Sequence, residues 1–261
     1  MIKTLVAIEV DLASSLAIRY ACQLGHLVNV ELYPVYVKEP PPEVPATGTG
    51  WVRHTWEREI LEMGKEEIQE MLAGEMESCP QLQEPRVIYG DREYELLKIM
   101  DHEPFDLYVE GAPYPFTAAN IQRRLHAKFY QRVGNPLIWL RILRKISQVL
   151  VPCFDAHGAR AAIQSLIKIW AGCAVPLHFC LAPGAGEAVQ QEILQGQEGL
   201  KAAGCQTLLL ADCPMSEGGP APEVLKNYGL VVVALERTVR KDSPRLLWLT
   251  QVKAPMMLVL C

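Results

Sequence analysis

The chain has 261 residues, half of them hydrophobic and 21% charged, with a formal net charge of −5. This is the composition of a globular protein, long enough for one large core or for two ordinary domains. The negative balance gives the whole molecule no general attraction to nucleic acid or acidic membranes.

The chain starts without the basic segment, apolar run and small-residue cleavage site of a signal peptide. No apolar run reaches the ~18–20 residues that a spanning helix needs. The eight cysteines are Cys22, Cys79, Cys153, Cys173, Cys180, Cys205, Cys213 and Cys261. None forms a C-x-x-C pair, and no Cys/His cluster has the spacing of metal ligands. Several lie in apolar runs, so they read as reduced, buried thiols, and a cytoplasmic protein is expected.

In chain order, KTLVAI (3–8) reads as a first strand and LASSLAIRYACQLG (from 12) as a helix. VNVELYPVYV (from 28) follows as a second strand. The Pro- and Gly-rich loop EPPPEVPATGTG (39–50) is a surface loop, a lid or a partner-binding arm. Next comes an amphipathic helix over 51–75, with Trp56, Ile60, Met63, Ile68, Met71 and Leu72 on or near one face. Trp51, Trp56 and His54 read as core or interface residues. PRVIYG (85–90), a short helix, FDLYVEG (105–111), another helix and NPLIWLRI (135–142) complete the run.

The order then repeats. QVLVPC (148–153), a helix from 158, AVPLHFCL (from 174), an APGAG loop and a helix over 186–203 come first. CQTLLLA (205–211), a short helix, YGLVVVAL (228–235), a helix and APMMLVLC (254–261) follow. Short apolar strands alternating with helices predict α/β units with parallel sheets covered on both faces. The expected architecture is two tandem α/β units, each with a five-stranded, mainly parallel sheet. The domains are 1–143 and 146–261, with the seam at Leu143-Arg144-Lys145-Ile146.

The pattern resembles the universal stress protein family in its tandem-domain form, along nearly the whole chain. The marks are LVAIE and LVPCF as first strands and LHFCLAP as a second strand. VIYGDREYELLKIMDHEPFDLYVEG matches strand–helix–strand, and both halves end on a proline before an apolar strand. The resemblance implies two tandem doubly wound, five-stranded, mainly parallel, Rossmann-like sheets, a fold that in many members binds ATP at the carboxyl ends of the strands. It also implies a carboxylate after the first strand and a glycine-rich loop, opening the last helix, that wraps phosphates.

Carried onto this chain, the carboxylate falls on Glu9 or Asp11 and the first glycine on Gly111. The second glycine falls on Tyr114, between Pro113 and Pro115, which remove N–H donors. The Gly-Ser pair falls on Arg123-Arg124, which reads as a helix start able to hold an anion by charge. In the second half Ala234 and Arg237 replace the glycines. Asp242-Ser243 replaces the Gly-Ser pair, where the aspartate repels phosphate, and the carboxylate falls on Phe154 or Asp155. The expected nucleotide or anion site is therefore Glu9, Asp11, Gly111, Arg123 and Arg124, with Asp155 and Ser243 as its remnant in the second half.

From Gly111 to Phe154 the chain has no acid but seven bases, while acids crowd 57–110. The basic run is expected to pair with acidic helices such as 57–77, within or between chains, rather than with nucleic acid. His157 sits in a polar turn after a strand, but Ser165, eight residues on, lies in a helical pattern, so no triad is claimed. His178 reads as a strand residue with a satisfied ring nitrogen.

The expectation is a stress-response protein that acts through protein interaction, with degenerate nucleotide sites and no catalysis of its own. The alternative is an ATP- or AMP-binding, slowly hydrolysing protein with a divergent first-domain site. The closing strands are expected to pair the halves into an intramolecular pseudo-dimer, and a homodimer is the expected assembly. No metal, nucleic-acid or membrane partner is expected, and the protein partner is left open.

Overall fold

The computed structural model describes residues 1–39, 51–216 and 218–261, without the side chains of 51–54. The loop expected over 39–50 is described only at Glu39, and Trp51 and His54 also lie outside the described side chains.

The first half runs β1 (Ile2–Ile8), α1 (Leu12–Gly25), β2 (Val30–Lys38), α2 (Trp51–Ser78), β3 (Arg86–Tyr89), α3 (Arg92–His102) and β4 (Leu107–Gly111). It closes with α4 (Ala118–His126), α5 (Lys128–Arg132) and β5 (Leu137–Leu140). The second runs β6 (Val149–Cys153), α6 (Ala156–Trp170), β7 (Leu177–Leu181), α7 (Glu187–Ala202) and β8 (Thr207–Leu209). A hairpin of β9 (Met215–Ser216) and β10 (Gly219–Pro220), not foreseen from the sequence, precedes α8 (Pro222–Leu225). β11 (Leu230–Leu235), α9 (Pro244–Gln251) and β12 (Met256–Leu260) complete the chain.

The helices start where short polar side chains cap free backbone donors. Asp11 accepts from the Ser14 amide at 2.7 Å, Asp155 from Gly158 at 2.7 Å, and Asp91 from Tyr94 at 2.8 Å. Ser243 caps α9, whose first residue is Pro244, a position where a missing N–H costs nothing.

The strand order is β3-β2-β1-β4-β5-β12-β11-β6-β7-β8. Each half is thus a doubly wound five-strand unit with the same internal order. The halves are not separate sheets, however. β5 and β12 pair antiparallel, Trp139 opposite Met256 and Leu137 opposite Leu258, and join them into one ten-stranded sheet. The closing strands are apolar on both faces and would otherwise leave unpaired edges.

One core lies under α1, α2, α6 and α7, the other under α3, α4, α5, α8 and α9. Arginines bind the halves across the seam. Arg141 donates to the carbonyls of Thr250 (3.2 Å) and Val252 (3.0 Å) at the end of α9. Arg237 donates to those of Tyr130 and Val133 (2.8 Å) at the end of α5. Each satisfies carbonyls that a helix end leaves free in the opposite half. Lys168 pairs with Asp106 at 2.7 Å, and Tyr20 reaches the Gly229 carbonyl at 3.0 Å.

The expectation of eight reduced cysteines is overturned: Cys22 and Cys79 form a disulfide between α1 and the end of α2. The end of α2 returns over Cys22 on α1, and both residues are buried. The other six remain free thiols. The expected apolar face of α2 is also narrower than read, since Met63 is 51% exposed while Ile60, Ile68 and Leu72 are buried.

Candidate functional site

In a doubly wound sheet the winding reverses between two neighbouring strands, and the crevice at their carboxyl ends is where ligands sit. Here the reversals fall between β1 and β4 and between β6 and β11.

In the first half that position holds a buried carboxylate. Glu110 is 1% exposed, near the end of β4. Arg124 meets its Oε2 at 2.7 Å and Arg92 at 3.0 Å. Tyr108 donates to Oε2 at 2.9 Å, Trp139 Nε1 to Oε1 at 2.9 Å, and the Tyr130 hydroxyl also to Oε1. Arg124 Nε in turn donates to the Tyr130 oxygen at 2.6 Å. Arg92 Nε reaches the half-exposed Glu9 at 3.0 Å. Two carboxylates and two guanidinium groups thus form a cluster with no net charge.

Burial alone would raise the Glu110 pKa. Arg124 and Arg92, helped by the Tyr130 hydrogen bond, outweigh it and lower the value to about 2. Burial raises the Tyr108 and Tyr130 pKa values, so both phenols stay protonated donors.

Of the residues expected at this site, the structure brings Glu9, Gly111 and Arg124 together at the adjoining ends of β1 and β4. Asp11 is spent as the α1 cap. Arg123 and Arg124 do not open a helix: they lie in the last turn of α4, whose N-cap is Thr117. Favourable placement of basic charge at a helix C-terminus explains their position without a ligand. Arg123 points to solvent, whereas Arg124 turns inward to Glu110. Gly111 has a packing reason: a Cβ there would lie 2.5 Å from the Cβ of Ala13 on α1.

Glu110, Arg92 and Tyr130 were missed from the sequence. The available signal was a carboxylate inside the apolar strand FDLYVEG, because a buried charge demands partners.

The second half differs. By strand register, Val233 occupies the position of Glu110 and Ala234 that of Gly111. The close strand–helix approach persists with the glycine on the other partner, since a Cβ on Gly158 would lie 2.9 Å from the Cβ of Ala234. A cavity of about 340 Å³ opens here among Phe154, Leu235, Glu236, Val239, Ser243 and Arg245. A smaller one of about 110 Å³ reaches Asp155, His157 and Cys261. Arg245 lies over the Phe154 ring at 4.2 Å and 3.7 Å from Asp155 Oδ2. Asp155 and Ser243 therefore cap α6 and α9 while bordering an open cleft. Arg237, at the place of the family's second glycine, is turned to the seam.

Ser165 donates to the Ala161 carbonyl within α6, so it does not approach His157 as a nucleophile would. His178 Nδ1 lies 3.1 Å from the Tyr228 hydroxyl, and burial lowers its pKa. Among the described residues no His, Cys, Asp and Glu group could hold a metal ion. No described helix is long and apolar enough to cross a membrane. Among the described residues the basic run meets an acidic helix at α3 rather than at α2 within the chain. Arg132 pairs with Asp101 at 3.0 Å, Arg144 donates to carbonyls near α8, and α2 uses Glu67 on Lys38 and Glu75 on Arg19.

Among solved structures, a universal stress protein from Archaeoglobus fulgidus DSM 4304 superposes with a TM-score of 0.60 at 13% identity, over 98% of this chain and 97% of that one. The fold is that of the universal stress proteins. A putative universal stress protein from Pseudomonas aeruginosa UCBPP-PA14 and a functionally unknown protein from Pseudomonas aeruginosa PAO1 each give 0.52 at 12% identity, over 99% of this chain and 92% of theirs. No family model and no curated protein matches the sequence. At these identities the likeness lies in the architecture, and residue roles have to be argued from the clusters above.

Proposed function

We propose that the chain is a tandem universal-stress-type protein, with domains 1–143 and 146–261. It acts in the cytoplasm in stress response or regulation, by protein interaction and without catalysis of its own. The observation that carries this reading is the Glu110 cluster. The two arginines nearest the first-half crevice are neutralised by the protein's own carboxylates, and Pro113 and Pro115 take donors away from the loop beyond Gly111.

The test is isothermal titration of the purified protein with ATP, AMP and phosphate. No heat at millimolar ligand is expected. ATP binding that Arg124→Ala abolishes would refute the reading.

The cavity beside Phe154 and Arg245 favours a second reading, in which ATP or AMP enters the second domain. Mass spectrometry of the purified protein would then show co-purified nucleotide, lost in Arg245→Ala. A homodimer belongs to the same proposal, and it would use surfaces other than the closing strands, which are already paired.

A further inference from the structure

The cysteines are not used as a disulfide framework. Such frameworks pair most of their cysteines, whereas here one pair is joined and six thiols stay free. The joined pair sits where a long helix is weakly held. α1 buries Ala17, Ile18, Tyr20, Ala21 and Leu24 within fourteen residues. α2 is 28 residues long, yet from Thr55 onward its fully buried positions are Ile60, Gly64, Ile68 and Leu72, one per turn. Met63 and Met76 on the same helix are 51% and 36% exposed. Among the described residues, Lys38–Glu67 and Arg19–Glu75 tie it to β2 and α1 as partly exposed ion pairs, which contribute little.

Beneath this narrow stripe lie apolar groups of β2 and β3. Gly64 rests on Val87 and Tyr36, and Ile68 and Leu72 belong to the main core. The covalent tie stands at the far end, from Cys79 to Cys22 on the well-packed α1.

We propose that the Cys22–Cys79 disulfide is a redox latch on α2. While it is closed, the helix covers the outer part of β2 and β3; once it is reduced, the helix opens and bares the apolar surface beneath. The chemistry is thiol–disulfide exchange with a dithiol. One reductant thiolate attacks one sulfur, and the Cys22–Cys79 bond breaks with the other cysteine leaving as a thiolate. The reductant's second thiolate then attacks its own sulfur in the mixed disulfide and expels the remaining cysteine thiolate. The reductant leaves as a cyclic disulfide, and Cys22 and Cys79 gain two electrons and two protons as free thiols. Closing the latch again requires a hydroperoxide or a disulfide oxidant.

Hydrogen exchange read by mass spectrometry tests this on the full chain, before and after dithiothreitol followed by thiol alkylation. Exchange in 55–78 should rise about tenfold or more, since the latch sets the local opening equilibrium. Strands β1, β4 and β11 should keep their protection. The reduced protein should also bind a hydrophobic dye. Cys22→Ser/Cys79→Ser should behave as the reduced form without added reductant. If that variant fails to fold, reduction of the folded wild type gives the same readout. Unchanged exchange in 55–78 after full reduction overturns the latch. So does a rise shared equally by the central strands, which would make the disulfide a global staple.

Discussion

Replacing Glu110 by glutamine keeps the shape of the side chain and removes its charge. Arg92 and Arg124, 14% and 26% exposed, would then face each other with only Glu9 at the rim. Folding lowers the Glu110 pKa from 4.5 to about 2, and at about 1.4 kcal/mol per pKa unit this places the carboxylate's contribution near 3 kcal/mol. Breaking one partner out of a buried ion pair independently costs about 3–5 kcal/mol. Urea unfolding at neutral pH, followed by circular dichroism, should therefore show Glu110→Gln less stable by about 3 kcal/mol or more. Because the folded pKa is depressed, the wild type holds this contribution above pH 4.5 and loses it as the pH falls toward 2. The variant should lack that part of the acid-induced loss. A destabilisation below about 1 kcal/mol, with an unchanged acid profile, would mean that the cluster is solvated and would remove the case for an internally neutralised crevice.

Gly111→Ala should cost about 1–3 kcal/mol, because its Cβ would press on Ala13, and Ala13→Gly in the same chain should recover most of the loss in thermal unfolding. Arg237→Ala leaves the Val133 and Tyr130 carbonyls without their donor; it should cost about 1–3 kcal/mol in urea unfolding and uncouple the halves into two transitions. Cys22→Ser/Cys79→Ser opens a loop spanning 57 residues. Were the disulfide a staple of the whole fold, the chain-entropy account would set the loss at about 4 kcal/mol; a latch confined to α2 leaves the main unfolding midpoint nearly unchanged.

The fold was legible because its signals are local and doubled. LVAI and LVVVAL are apolar on both faces, as strands between helix layers must be, and the same order of elements occurs twice. The join of the two sheets followed from asking what covers the closing edges. The site was less legible. Arg123-Arg124 was placed at a helix start by counting back from Pro136, but α4 and α5 break at Ala127, so the pair ends the first of two short helices. Glu110 stood as a carboxylate in an apolar strand, but its partners Arg92, Arg124 and Tyr130 lie on other elements, and no local pattern names them. The Cys22–Cys79 pairing depends on how α2 returns across α1, a relation between residues 57 apart that no periodicity encodes.

The two strand ends fill the same crevice in different ways. In the first half the strand keeps its glycine, yet the space beside it is taken by an internal carboxylate and the arginines that neutralise it. In the second half Val233 needs no such partners, so the cavity beside Phe154 stays open, and the arginine after the strand is free to work elsewhere. That arginine, Arg237, crosses the seam to the last helix of the other half, as Arg141 does in return. Divergence at the crevices and cohesion at the seam are thus linked through the same short segments. A side chain turned toward the seam cannot also hold a phosphate, and a β5 edge already paired with β12 cannot recruit a second copy. Further association would have to use the outer strands, β3 or β8, or the helical faces. On β8, Leu208 is already 51% exposed.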